Sequence, residues 1–255
     1  MTREITFLGG RRVGLTVIYN ELLNCRKMQK EYMPFKNIWT EEDFNQMGWH
    51  DSRIYKLRVG KSVEMDIDYI LEWNEPEIVG MAFTFWIVPA TLVFDQITDF
   101  SCESVFYMGD IEIENIEKQV REEDVQWIIK CHSGEFSFIA PGYSMFIRQK
   151  PFFSFEQTIS LCARGGCSLE RTTNQDNPYR LGEEYTTLQK KEWEHYSEAK
   201  RRHFNLSEIE NLERLHENKA IDLKKYLIRK RALNKEIAFS DSFLKGSIWD
   251  RTSYL

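Results

Sequence analysis

The residues able to do chemistry gather in one short stretch. His50-Asp51 precedes a segment carrying Asp66 and Asp68 on one strand face. An imidazole with two or three carboxylates is a donor set for Mg²⁺, Mn²⁺ or Zn²⁺. A metal held there would activate water for hydrolysis. One reading is therefore a metal-dependent hydrolase centred on His50, Asp51, Asp66 and Asp68. The plainer reading has Asp51 capping the strand entry, His50 as a hydrogen-bonded structural residue and Asp66 paired with Lys56 across the hairpin. Nucleophilic chemistry has less support. Ser52 lies near His50, but no G-x-S-x-G elbow exists. Cys131 and His132 are adjacent, so a continuing strand would point them to opposite faces. Five cysteines (Cys25, Cys102, Cys131, Cys162, Cys167) lack metal-ligand spacing, although Cys162 and Cys167 flank Arg164-Gly165-Gly166. Buried or idle thiols in a reducing cytoplasm are the expectation.

The element that must position these groups is a hairpin. From Arg53 to Val59 and again from Val63 to Tyr69, apolar residues alternate with charged ones, the period of a half-buried strand. With Gly60-Lys61-Ser62 as the loop, Val59 faces Val63, Leu57 faces Met65 and Tyr55 faces Ile67. On the other face Arg58 meets Glu64 and Lys56 meets Asp66, while Asp68 lies opposite Ile54. A one-residue slip would break both faces. Met81 to Phe94 is apolar at nearly every position, which suits a central strand covered on both sides. Pro89 should bend it, leaving Thr91 to Phe94 as a continuation or second strand. The run is too short for a membrane span.

The pattern Trp49-His50-Asp51, Asp66-Ile67-Asp68-Tyr69-Ile70 and Val88-Pro89-Ala90-Thr91-Leu92-Val93-Phe94 resembles a family of uncharacterised bacterial proteins. The resemblance extends into Phe136 to Arg148 and Arg164-Gly165-Gly166, and covers roughly residues 44–175. More distantly, the aromatic-His-Asp opening before a strand is similar to small immunity proteins of bacterial toxin systems. The first family carries no activity to transfer, and the second resemblance implies an immunity-like role.

The charge is uneven. The chain has formal net charge −6, but residues 44–182 hold 12 basic and 21 acidic residues while the flanking segments are slightly basic. An acidic middle region repels phosphate backbones, which excludes nucleic acid as its partner. Its field favours a basic protein partner, met by Glu64, Asp66, Asp68, Glu112 and Glu114. The competing explanation is an acidic surface that aids solubility. A hydrophobic fraction of 42% supports a real core, and 14% aromatic content argues against disorder. No apolar segment follows a basic start, so no signal peptide is expected. No cofactor is implied.

Three regions follow. Residues 1–43 open with a strand (Glu4 to Leu8), Gly9-Gly10 and a helix (Val13 to Leu23), but Gly9, Gly10 and Gly14 do not match a dinucleotide fingerprint. Residues 44–182 form an antiparallel β domain, a sandwich or open barrel. Thr40 caps a short helix through Gln46 before it. Its further strands are Ile111 to Glu114, Val125 to Cys131, Glu135 to Ala140 and Tyr143 to Gln149. Residues 95–110 read as irregular, and Glu117 to Asp124 as a loop or helical turn. Residues 183–255 form a helical appendage of three helices, the second started by the Ser207/Glu210 capping box and the third by Asp222. Ile209, Leu212 and Leu215 face inward on the second, and Leu223, Leu227, Ile228 and Leu233 on the third. The whole is an α+β chain, and the expectation is a non-catalytic binding module.

Overall fold

The computed structural model describes residues 32–104, 111–121 and 124–250. The expected strand and helix within residues 4–23 lie outside them. The chain divides into two compact units, residues 1–33 and 34–255. All elements below belong to the second.

The element order is β1 (Ile38–Thr40), a short 3-10 helix (Glu41–Gln46), β2 (Ser52–Val59), β3 (Ser62–Asn74), β4 (Thr84–Asp95) and β5 (Thr98–Ser104). There follow β6 (Ile111–Arg121), β7 (Asp124–Cys131), β8 (Gly134–Ile139), β9 (Ser144–Ile147) and β10 (Phe152–Ser154). A second 3-10 turn (Pro178–Leu181) leads to helices α1 (Glu183–Glu217) and α2 (Leu223–Leu244). Among the described residues the strands form one antiparallel sheet in the order β1-β9-β4-β3-β2-β6-β7-β8-β5, with β10 also pairing β4. Fold class is thus α+β: an antiparallel sheet, not closed, with a helical C-terminal appendage. No described helix is long and apolar enough to cross a membrane.

The sheet curls strongly. Phe94 of β4 packs its ring 5.3 Å from Trp127 of β7 and 4.8 Å from Phe138 of β8. Strands β3, β2 and β6 stand between β4 and β7 in the sheet order. Only a coiled sheet brings these rings together over one core, which also takes Met65, Ile67, Val88, Leu92, Ile113 and Met145. Trp127 is fully buried and gives its indole N–H to the Ala140 carbonyl at 3.1 Å.

The hairpin register holds at Val59↔Val63, Leu57↔Met65, Arg58↔Glu64 and Lys56↔Asp66. A bulge then shifts the pairing, so Ile54 rather than Tyr55 meets Ile67, and Arg53 rather than Ile54 meets Asp68. An extra residue turns the side chain that follows to the other face. Tyr55 accordingly leaves the apolar side, and its hydroxyl reaches Asp68.

Pro89 does not interrupt β4, and Thr91 to Phe94 continues the strand, the first of the two expected forms. Along this edge β10 pairs with Phe85 to Ile87 and β9 with Ala90 to Val93. Pro89 falls in the gap between the two partners, where a missing N–H leaves no ladder bond unmade. β5 and the far half of β6 occupy parts of the segments expected to be irregular or loop; residues 105–110 and 122–123 of those segments lie outside the described residues. Both β5 and that half of β6 are among the more exposed stretches of the sheet, so neither carries a sharp apolar alternation. The expected break before Ser207 is also absent. Nothing between Glu183 and Glu217 is Gly or Pro, and α1 runs straight through. Leu223, Leu227 and Ile228, expected inward, are exposed, whereas Leu233 is buried. Asp222 does cap α2, its carboxylate accepting from the Lys225 N–H at 2.9 Å.

The two faces of β3 set a stability test. Ile67 is fully buried whereas Lys56 is exposed. Ile67→Ala should cost about 2–5 kcal/mol in urea denaturation. Lys56→Ala should stay within about 0.5 kcal/mol. The opposite ranking would mean the inner face has been assigned backwards.

Candidate functional site

The polar face of β3 was nominated by sequence as an acidic surface. Alternation does put Glu64, Asp66 and Asp68 on one face, but all three are buried, Asp66 and Asp68 completely. The chain between β10 and α1 covers them. Asp66 Oδ1 accepts from Arg148 Nη2 at 2.6 Å and Arg164 Nη2 at 2.7 Å. Its Oδ2 accepts from Arg164 Nη1 at 2.8 Å and the Ser168 N–H at 2.9 Å. The Arg164 fork therefore holds Asp66 in the bidentate geometry favoured by guanidinium and carboxylate. Asp68 Oδ2 accepts from the Tyr55 hydroxyl and the Ile159 N–H, both at 2.7 Å, and Arg164 Nε lies 3.2 Å from Oδ1. Both arginines are fully buried. Arg148 also donates to Thr91 Oγ1 at 2.7 Å and Gln175 Oε1 at 2.9 Å. The Arg164 guanidinium lies 3.8 Å from the centre of the Tyr55 ring.

Two fully buried carboxylates thus face two fully buried guanidiniums, and every carboxylate oxygen has at least one donor. Neither Asp66 nor Asp68 is available to a partner or a metal ion. Lys56, though opposite Asp66 in register, is exposed and does not pair with it; Arg148 and Arg164 do. Arg164 reaches inward because the chain turns tightly behind it: Gly165 and Gly166 take φ of 77° and 81°, a left-handed pair that glycine adopts without a Cβ clash.

Glu64 forms the outer end of the same row. It accepts from Arg58, from the Ser62 hydroxyl at 3.0 Å and from Arg171 Nη2 at 2.9 Å, and Arg171 also clasps Asp95. Burial pushes its pKa up, but the bonds from Arg171, Ser62 and Arg58 outweigh that and leave it below the ordinary glutamate value.

The other nominated residues remain near the surface. Glu114 is exposed and Glu112 half-buried, both on β6. His50 stacks on Trp73 with ring centres 6.3 Å apart, and its Nε2 lies 3.3 Å from Asp51 Oδ1. Asp51 accepts from Gln157 Nε2 at 2.5 Å. Ser52 is buried. Cys102, Cys131, Cys162 and Cys167 are unbridged. Burial, and then Cys102, pushes the Cys131 thiol up to about 12, which removes it as a nucleophile at neutral pH.

The helices join the sheet through an aromatic cluster. Phe153 stacks on Trp193 at 4.9 Å, and Phe155 meets Trp193, Tyr196 and Trp249 at 5.0–5.8 Å. Beside it lies an open cavity of about 330 Å³, with Phe152, Tyr185, Glu192, His195 and Trp249 among its walls. None of the residues nominated by sequence lines it.

The fold is therefore an α+β chain with a sealed polar centre of two carboxylates and two guanidiniums, and a two-helix arm. Comparison with protein-family models, with curated proteins and with solved structures finds no match.

The centre makes two predictions. Asp66→Ala leaves buried Arg148 with no carboxylate and Arg164 with Asp68 alone, and should cost about 3–5 kcal/mol by urea denaturation. Glu114→Lys, at the surface, should change stability by no more than about 0.5 kcal/mol. The second concerns acid. A carboxyl whose folded pKa is depressed contributes stability above its unfolded pKa and loses it as pH falls through the folded value. Below pH 4.5 the wild type should therefore lose the stability that Glu64 contributes, and Glu64→Gln should lack that component. Parallel pH–stability curves for the two proteins would contradict this.

Proposed function

We propose that the protein works by binding a protein partner, with the helical arm as the main contact. The observation that carries this reading is a second apolar stripe on α2. Tyr226, Lys230, Leu233, Ile237, Ser240 and Leu244 follow the alternating four-and-three spacing of a coiled-coil seam. Leu233, Ser240 and Leu244 are buried on that seam. Ile228, Ala232, Phe239 and Phe243 form another row, about 130° around the helix at 100° per residue. Ile228 is 62% exposed, Phe239 58% and Phe243 44%. Rows of large exposed apolar side chains rimmed by polar groups mark interaction surfaces. The rim is present: the Arg201 guanidinium lies 5.3 Å from the Phe239 ring centre, and His195 meets Phe243 edge-on at 5.6 Å.

The acidic excess of residues 44–182 supports a basic partner, steered by residues still at the surface such as Glu114. Nucleic acid is disfavoured by the same charge. An immunity-like role would make that partner a toxin domain. A non-catalytic reading is supported by the engagement of Asp66 and Asp68 with arginines, since those carboxylates were half of the hydrolytic alternative.

A pull-down from the native host with the full chain, followed by affinity measurement on the purified partner, tests this. Phe239→Glu and Ile228→Glu should each weaken binding at least ten-fold with unchanged melting temperature. Glu114→Lys should slow association and flatten its dependence on salt. A partner indifferent to all three substitutions would refute the reading. So would turnover of a phosphoester, ester or peptide substrate that disappears in His50→Ala.

A further inference from the structure

Three strand ends converge beside His50. Register places Ser52 of β2 opposite Ile113 of β6 and Arg53 opposite Glu112. The Asp51 N–H donates to the Ile113 carbonyl at 2.9 Å, and the His132 N–H to the Glu112 carbonyl at 3.2 Å. Asp51 at the entry to β2, Glu112 at the start of β6 and His132 just after β7 are therefore fixed to one another through backbone bonds. Each offers a side-chain ligand atom, and these atoms all lie within 4.8 Å of one another. Among the described residues no other set of three histidine, cysteine or acidic side chains does so.

Further features single out this cluster. His50 flanks the cluster on the Asp51 side, with Nε2 3.3 Å from Asp51 Oδ1. Gln157 donates to Asp51 Oδ2 at 2.5 Å, the kind of outer contact that fixes the orientation of a ligating carboxylate. Asp51 itself holds φ at 63°, which a side-chain-bearing residue seldom adopts. Two carboxylates this close repel, and a dication relieves that repulsion.

We propose that Asp51, Glu112 and His132 bind a divalent transition-metal ion of the Zn²⁺ type, three protein ligands that leave a fourth position open. Mixed imidazole and carboxylate donors select such an ion over Mg²⁺, which takes oxygen ligands. Ligands about 2.0–2.2 Å from a tetrahedral ion stand roughly 3.3 Å apart. His132 sits exposed in the turn between β7 and β8, where a side-chain rotation closes the remaining gap. The ion would clasp the ends of three adjacent strands. The site shares only Asp51 with the set expected from sequence; Glu112 and His132 come from β6 and the end of β7. It is independent of the partner-binding reading.

The test is calorimetric titration of the chelator-stripped full chain with ZnCl₂ and with MgCl₂ at pH 7.5. One Zn²⁺ per chain is expected, at least ten-fold tighter than Mg²⁺, with a raised melting temperature. His132→Ala and Glu112→Gln should each weaken Zn²⁺ at least ten-fold, while a Cys162→Ser/Cys167→Ser double variant binds as wild type. His132 is exposed, so its truncation leaves the metal-free fold intact and keeps the test decisive should Glu112→Gln unfold. Absence of Zn²⁺ binding, undiminished binding in His132→Ala or in folded Glu112→Gln, or binding lost with the cysteines would each overturn the assignment.

Discussion

The clasp of Asp66 by Arg148 and Arg164 is the constraint on which the rest of the sheet depends. The three side chains are fully buried, and each is costly to bury unless the others are in place. Asp66 lies on the strand shared by β2 and β4, Arg148 follows β9, and Arg164 belongs to the cover between β10 and α1. The requirement to pair these charges fixes the position of β9, the path of the covering chain and the register of β3 together. Slipping β3 by one residue would put a carboxylate into the apolar core and leave two guanidiniums without a counter-charge. Replacing the set with apolar residues could match its stability. It would remove this discrimination between registers.

Around that centre β3 and β4 separate two environments. Met65, Ile67, Val88 and Leu92 face the curled core. Ile70, Phe85 and Ile87 face a second apolar cluster with Phe152, Ile159 and Tyr185. The polar row of Glu64, Asp66 and Asp68 lies under the same cover as this second cluster. The covering chain therefore needs side chains of both kinds, which is why Ile159 and Arg164 sit only five residues apart.

Much of the architecture was legible in the sequence because it is local. The hairpin register followed from two alternating segments that agreed on both faces. The start of the helical region followed from the polar break at Asn174 to Pro178. What could not be read locally was the fate of Asp66 and Asp68. Their arginine partners lie 82 to 98 residues away, and alternation of charge with apolar residues looks the same whether the charged face meets water or buried arginine. A signal was present in Arg148 at the end of an apolar strand and in Arg164 before two glycines. The bulge at Tyr55 has no glycine to announce it. The capping-box spacing at Ser207 misled because serine and glutamate are also tolerated inside a helix. Glu112 and His132 meet Asp51 only through the pairing of β2, β6 and β7, an order that hydrophobic periodicity does not report.

The arm has a dynamic consequence that follows from its shape. α1 spans 35 residues, about 52 Å at 1.5 Å per residue. Its first half is anchored by Trp193 and Tyr196 in the aromatic cluster, whereas its far end, among the described residues, meets α2 through the stack of His216 on Tyr226 and the bond from Lys230 to Glu213. Helical segments without a packed apolar face hold together weakly. Amide protons near the turn at Asn218 to Asp222 should therefore exchange through local fraying, and those near Tyr196 only when the arm lifts from the sheet. The arm is a gradient of protection, firm at its base and loosening towards its tip.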